Sequence, residues 1–82
     1  MKLTVYGPGC ARCQQAEAVA RHAVQQAGVE AEVEKVTDVR EMAKAGVLMT
    51  PALAIDGRIV ISGKVPDVSE VVSLITSAMA RQ

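Results

Sequence analysis

The chain has 82 residues, half of them hydrophobic, and one aromatic side chain, Tyr6. That size leaves room for one domain, expected to span residues 1–82, whose core aliphatic groups and alanines must fill. Nine Lys and Arg balance nine Asp and Glu, which removes the electrostatic case for a nucleic-acid or anionic-membrane partner.

The opening "MKLTVYG" has neither the apolar stretch nor the small-residue cleavage site of a secretory leader. No apolar run approaches the roughly 20 residues that span a bilayer, so neither membrane attachment nor export is expected. A cytoplasmic location follows, where ordinary thiols are kept reduced. "KLTVY" (2–6) alternates polar and apolar side chains with β-formers and predicts a strand, which "GPG" ends. From Ala11 to about Ala27 the spacing turns helical: Cys13, Ala16, Ala20, Val24 and Ala27 define one face, His22 falls opposite, and Gly28 stops the helix. "AEVEKV" (31–36) reads as a second strand. "TDVREMAKAG" (37–46) reads as a short helix capped by Thr37 or Asp38.

Two apolar runs, "ALAI" and "IVIS", flank Asp56-Gly57, a strong hairpin signal. The closing stretch "KVPDVSEVVSLITSAMARQ" predicts a helix capped by Asp67 or Ser69, with Val68, Val71, Val72, Ile75 and Met79 on its apolar stripe. The order is β-α-β-α-β-β-α. Its first βαβ unit demands parallel strands and the hairpin demands antiparallel ones, giving a mixed sheet covered by helices.

The two cysteines, Cys10 and Cys13, open the first helix as C-x-x-C. Unpaired N–H groups and the positive end of the helix dipole favour a thiolate at Cys10, which makes it the attacking thiol. Cys13 lies on the core-facing stripe and would be the sheltered resolving thiol. Arg12 adds a cation between them, favouring the thiolate and hence the reduced state, and is also expected to help dock the substrate. Three meanings compete for the pair: disulfide exchange, a metal site, or small buried side chains. A closed zinc site needs four ligands, and His22, half a turn out of phase, does not join the two thiols. Two-coordinate Cu(I) on the thiolates stays open as the alternative function, a soft-metal binding or carrier domain.

Pro51 stands where a strand begins, the position at which proline is tolerated. Most X–Pro bonds are trans; beside a cysteine pair, the cis form is the expectation. A cis Thr50–Pro51 bond would expose the Thr50 backbone to an extended peptide, which could dock as an added strand while its sulfur meets Cys10. Met49, with Val47 and Leu48, is expected to line that groove, while Met42 and Met79 read as core fillers.

Taken together, "GPGCARC", "EKVTD", "GVLMTPALAIDG" and "GKVP" resemble the small redox-active disulfide protein 2 family, short glutaredoxin-sized members of the thioredoxin-like class. The resemblance runs from about Lys2 to Leu74. It implies a minimal thioredoxin fold, a four-stranded mixed sheet flanked by three helices. It also implies a thiol–disulfide oxidoreductase of the protein disulfide reductase type, with Cys10 as nucleophile, Cys13 as resolving thiol, Pro51 as cis proline and Thr50 as docking point. The loop around Thr37 and Asp38 would sit beside the active site. No bound cofactor or metal is implied; the partners implied are protein disulfide substrates and a thioredoxin-reductase-like, flavin-dependent electron donor. Thioredoxins proper carry Trp before the first cysteine and Gly-Pro within the pair, where this chain has Gly9 and Ala11-Arg12. Thr4 occupies the place of their buried aspartate, which removes the carboxylate of that proton relay. Ser62-Gly63 replaces the Gly-Gly that helps glutaredoxins hold glutathione.

Overall fold

In the computed structural model, which describes residues 1–80, alternation places Leu3 and Val5 of the first strand (β1, Lys2–Tyr6) on one face of a sheet, fully buried. The elements that follow are α1 (Ala11–Ala27), β2 (Glu32–Val36), α2 (Val39–Ala45), β3 (Ala52–Ile55), β4 (Arg58–Ser62) and α3 (Val68–Ala80). This is the predicted β-α-β-α-β-β-α order. The last two residues of the predicted final helix, 81 and 82, lie outside the described residues.

The sheet runs β2-β1-β3-β4. β1 pairs parallel with β2, Leu3 opposite Val33, and antiparallel with β3, Val5 opposite Leu53. β3 and β4 form the hairpin, with a bulge between Leu53 and Ala54. Asp56 (φ 50) and Gly57 (φ 85) both take positive φ, the requirement of the tight turn whose twist matches the strands. Asp56 also ties the turn to β1: its N–H donates to the Lys2 carbonyl and its carboxylate accepts from the Lys2 N–H, each at 2.8 Å.

One face of the sheet carries the core. Leu3, Val5, Leu53, Ile55 and Ile61 meet Ala16, Ala20 and Ala23 of α1 and Val71 and Ile75 of α3. Alanines on α1 let that helix pack close to what it covers. The larger volume comes from Leu, Ile and Val, each contributing about 1.5–3 kcal/mol when fully buried. Ala23, i+3 from Ala20, is fully buried, and Val24, expected on the same face as Cys13 and Ala20, is half-buried against the core cluster. Met79, read as a core filler, is 48% exposed in the last turn described. Every residue of β3 is buried, as suits an inner strand. On the opposite face α2 buries Met42, outside the main cluster. It leaves a cleft of about 420 Å³ against Tyr6, Glu34 and Val36.

Candidate active site

Beyond Tyr6 the chain must leave the sheet and start a helix within four residues, and glycines make that possible. The Gly7 N–H donates to the Val36 carbonyl at 3.0 Å, carrying the β1–β2 ladder one step further. A Cβ at Gly7 would overlap Cys13 Sγ and stand 2.9 Å from Cys13 Cβ. The buried thiol therefore rests against bare backbone. Gly9, at φ 93, makes the left-handed turn that delivers Cys10 to the helix start.

Cys10 is the N-cap of α1, with extended backbone (φ −72, ψ 170), and its sulfur accepts the Cys13 N–H at 3.4 Å. The thiol thus takes the position usually held by a serine or aspartate oxygen. No acidic residue stands in the first turn, so no neighbouring carboxylate on that turn opposes a negative charge there. The two sulfurs are in direct contact, 2.7 Å apart. Cys10 is exposed and Cys13 is 2% exposed. Hydrogen bonding from the Cys13 side chain, then from the Cys13 backbone N–H, holds Cys10 below the ordinary thiol range. Burial first, and the neighbouring Cys10 second, push Cys13 above it. The two directions together favour ionisation at Cys10 over Cys13.

The second half of the site comes from the far side of the chain. The Thr50–Pro51 peptide is cis, the form expected of it, and Pro51 is fully buried at the mouth of β3. The Pro51 carbonyl accepts from the Gly63 N–H at 2.9 Å. The Gly63 carbonyl in turn accepts from Arg12 Nη2 at 3.1 Å. Two hydrogen bonds therefore join the helix turn carrying the cysteines to the segment carrying the proline. Met49 closes the cluster, since a Cβ on Gly63 would stand 2.9 Å from its Cε and 3.1 Å from its Cβ.

The structure therefore brings Cys10, Arg12, Cys13, Met49 and Pro51 into one neighbourhood, with Thr50, half-buried, inside the cis turn. The guanidinium of Arg12 is bound to Gly63, and among the causes that lower Cys10 it is the Arg12 backbone N–H that figures. Leu48 and Met49 are 93% and 60% exposed, an apolar pair next to the site. His22 is exposed on α1, and Lys35 lies 3.8 Å from Glu17. Thr4, in the place of the relay aspartate, is buried at 6% exposure. Sequence reasoning missed Gly7 and Gly63 as site residues. The available signal was a lone glycine directly after the last strand.

A mixed sheet of this order, with an exposed thiol capping the first helix, a buried thiol one turn on and a cis proline tied to them, defines a thiol–disulfide oxidoreductase of the thioredoxin fold. The family model for the thioredoxin domain matches residues 1–76. A thioredoxin of Methanothermobacter thermautotrophicus is 40% identical over 76 residues, 93% of this chain and 99% of that protein. A thioredoxin of Methanocaldococcus jannaschii is 42% identical over 69 residues, 84% and 79% of the two chains. The chain belongs to the thioredoxin domain family. The copper-carrier alternative loses its footing in the fold: such domains run β-α-β-β-α-β, whereas β4 here is followed by a helix.

Proposed function

We propose that the protein reduces disulfides in other proteins, with Cys10 as nucleophile, Cys13 as resolving thiol, and the Thr50–Pro51 turn with Met49 as the docking edge. The observation that carries this is the asymmetry of the two thiols: the exposed one is pushed toward the thiolate and the buried one toward the thiol, with sulfurs 2.7 Å apart. The Cys10 thiolate attacks one sulfur of the substrate disulfide, and that S–S bond breaks as the second substrate sulfur leaves as a thiolate and takes a proton. Cys13 then loses its proton and attacks Cys10 Sγ in the mixed disulfide. The first substrate sulfur departs as a thiol, and Cys10 and Cys13 are left joined. Two electrons and two protons have passed to the substrate. A reductase of the thioredoxin-reductase type returns them.

Cytoplasmic work suits a dithiol that must be kept reduced, and no described helix is long and apolar enough to cross a membrane. Redox titration of the purified protein tests the reading. A reversible two-electron couple that disappears in Cys10→Ser is expected. A protein without such a couple contradicts it.

A further inference from the structure

Arg12 sits between the two thiols, exposed, and its one hydrogen-bond partner among the described residues is a neutral carbonyl, that of Gly63. Most other cations of the chain are neutralised differently. Lys2, Arg21, Lys35, Lys44 and Lys64 each lie within salt-bridge distance of a glutamate. The guanidinium of Arg12 keeps its full charge and several N–H donors unused. It is also held in place, because the carbonyl that fixes it belongs to the glycine bonded to Pro51 and packed on Met49. A cation already positioned loses less freedom when it binds an anion.

The surroundings complete the surface. Cys10, the attacking sulfur, is two residues from Arg12, and the apolar Leu48 and Met49 stand on the segment before Pro51. No described carboxylate is paired with Arg12, so an incoming one meets no competitor. We propose that Arg12 is a specificity-determining residue that selects disulfides whose attacked cysteine is flanked by an acidic side chain. This rests on the oxidoreductase reading above and names its substrate class: protein disulfides with a carboxylate beside the cysteine and an apolar residue for Met49. A carboxylate docked there meets a planar fork of donors suited to two parallel hydrogen bonds. Because the site is solvent-exposed, the preference is modest, about three- to tenfold, and weakens as salt screens it.

The test uses synthetic peptide disulfides identical except for Glu, Gln or Lys beside the attacked cysteine. kcat/KM for each is measured with the wild-type protein, Arg12→Gln and Arg12→Lys, at low and high salt. Arg58→Gln is the control, since Arg58 is an exposed cation at the far end of β4 from Gly63. The wild type is expected to favour the Glu peptide over the Lys peptide about three- to tenfold at low salt, and Arg12→Gln to bring that ratio near one. Arg12→Lys, which keeps the charge and loses the fork, should retain part of it, and Arg58→Gln all of it. A ratio unchanged by Arg12→Gln overturns the proposal, even if overall turnover falls, because a purely structural role for Arg12 would affect all three peptides alike. Turnover of the Gln peptide with no acidic preference overturns the specificity alone. Failure of the wild type to reduce any of the three peptides removes the oxidoreductase reading as well.

Discussion

Cys10 and Cys13 share a side-chain type and one helical turn, yet their surroundings separate them chemically. A sulfur at a helix N-cap accepts N–H bonds that stabilise its negative charge, while a sulfur pressed on Gly7 and removed from water resists ionisation. Since Cys10 is lowered from the ordinary thiol value, its thiolate persists at pH values where a free cysteine is protonated, and is lost only as the pH falls through the lowered pKa. Alkylation by iodoacetamide, followed against pH, is therefore expected to show one early inflection from Cys10, with Cys13 modified slowly throughout. Equal early reactivity of both thiols would contradict the asymmetry. Gly7 is the second lever. Gly7→Ala drives a methyl into the Cys13 side chain, an overpacking of the kind that costs about 1–3 kcal/mol. Reduced stability in a denaturant melt and slowed resolution of mixed disulfides are expected together; a variant as stable and as fast as the parent would show that the thiol has room to move. The cysteines announce themselves through their spacing. Gly7 does not, because its constraint comes from a side chain six residues away, brought back only by the helix.

Among the elements, the strands and helices followed from alternation and 3.6-residue spacing, and the first helix stops at Gly28 as predicted; Gly28 and Gly46 are both left-handed C-caps. The start of α3 is equally readable. Asp67 accepts the Glu70 N–H at 2.8 Å and the Ser69 hydroxyl at 3.0 Å, and these bonds, in that order, hold its carboxyl below the usual range. A lowered carboxylate pKa stabilises the fold fully above the unfolded value, and that contribution fades as the pH falls through the folded one. Asp67→Asn is therefore expected to lower the melting temperature at neutral pH, with the gap to wild type narrowing in acid. A gap independent of pH would assign the loss to something other than the charge. What could not be read was the joint between elements. Gly63, at φ 78, links Arg12 to Pro51 and lies against Met49, the most distant of these partners, Arg12, lying 51 residues away in the sequence. Gly63→Ala adds backbone strain of roughly 1–2 kcal/mol and displaces Met49. Its expected signature is a raised KM for protein disulfides beyond any loss of stability, and an unchanged KM would remove Met49 from the docking edge.

The molecule as a whole works because β1 and β3 are neighbours in the sheet. Their antiparallel pairing puts the end of β1, Tyr6, opposite the start of β3, Ala52, so the loop that leads to Cys10 and the turn that contains Pro51 emerge side by side. The sequence contained both motifs and their order, and the hairpin that holds β3; the pairing of β1 with β3 is a long-range choice that local patterning leaves open. Once that pairing forms, Cys10, Cys13 and the Thr50–Pro51 turn share one end of the sheet. The division of labour between the thiols then has a single decisive consequence. Incubated with a protein bearing one exposed disulfide, Cys13→Ser should accumulate a mixed disulfide through Cys10, visible as a band on a non-reducing gel that thiol reagent dissolves. Cys10→Ser should accumulate none. Adducts that form through Cys13 in Cys10→Ser, or that fail to form in Cys13→Ser, would contradict the assignment of Cys10 as the attacking thiol.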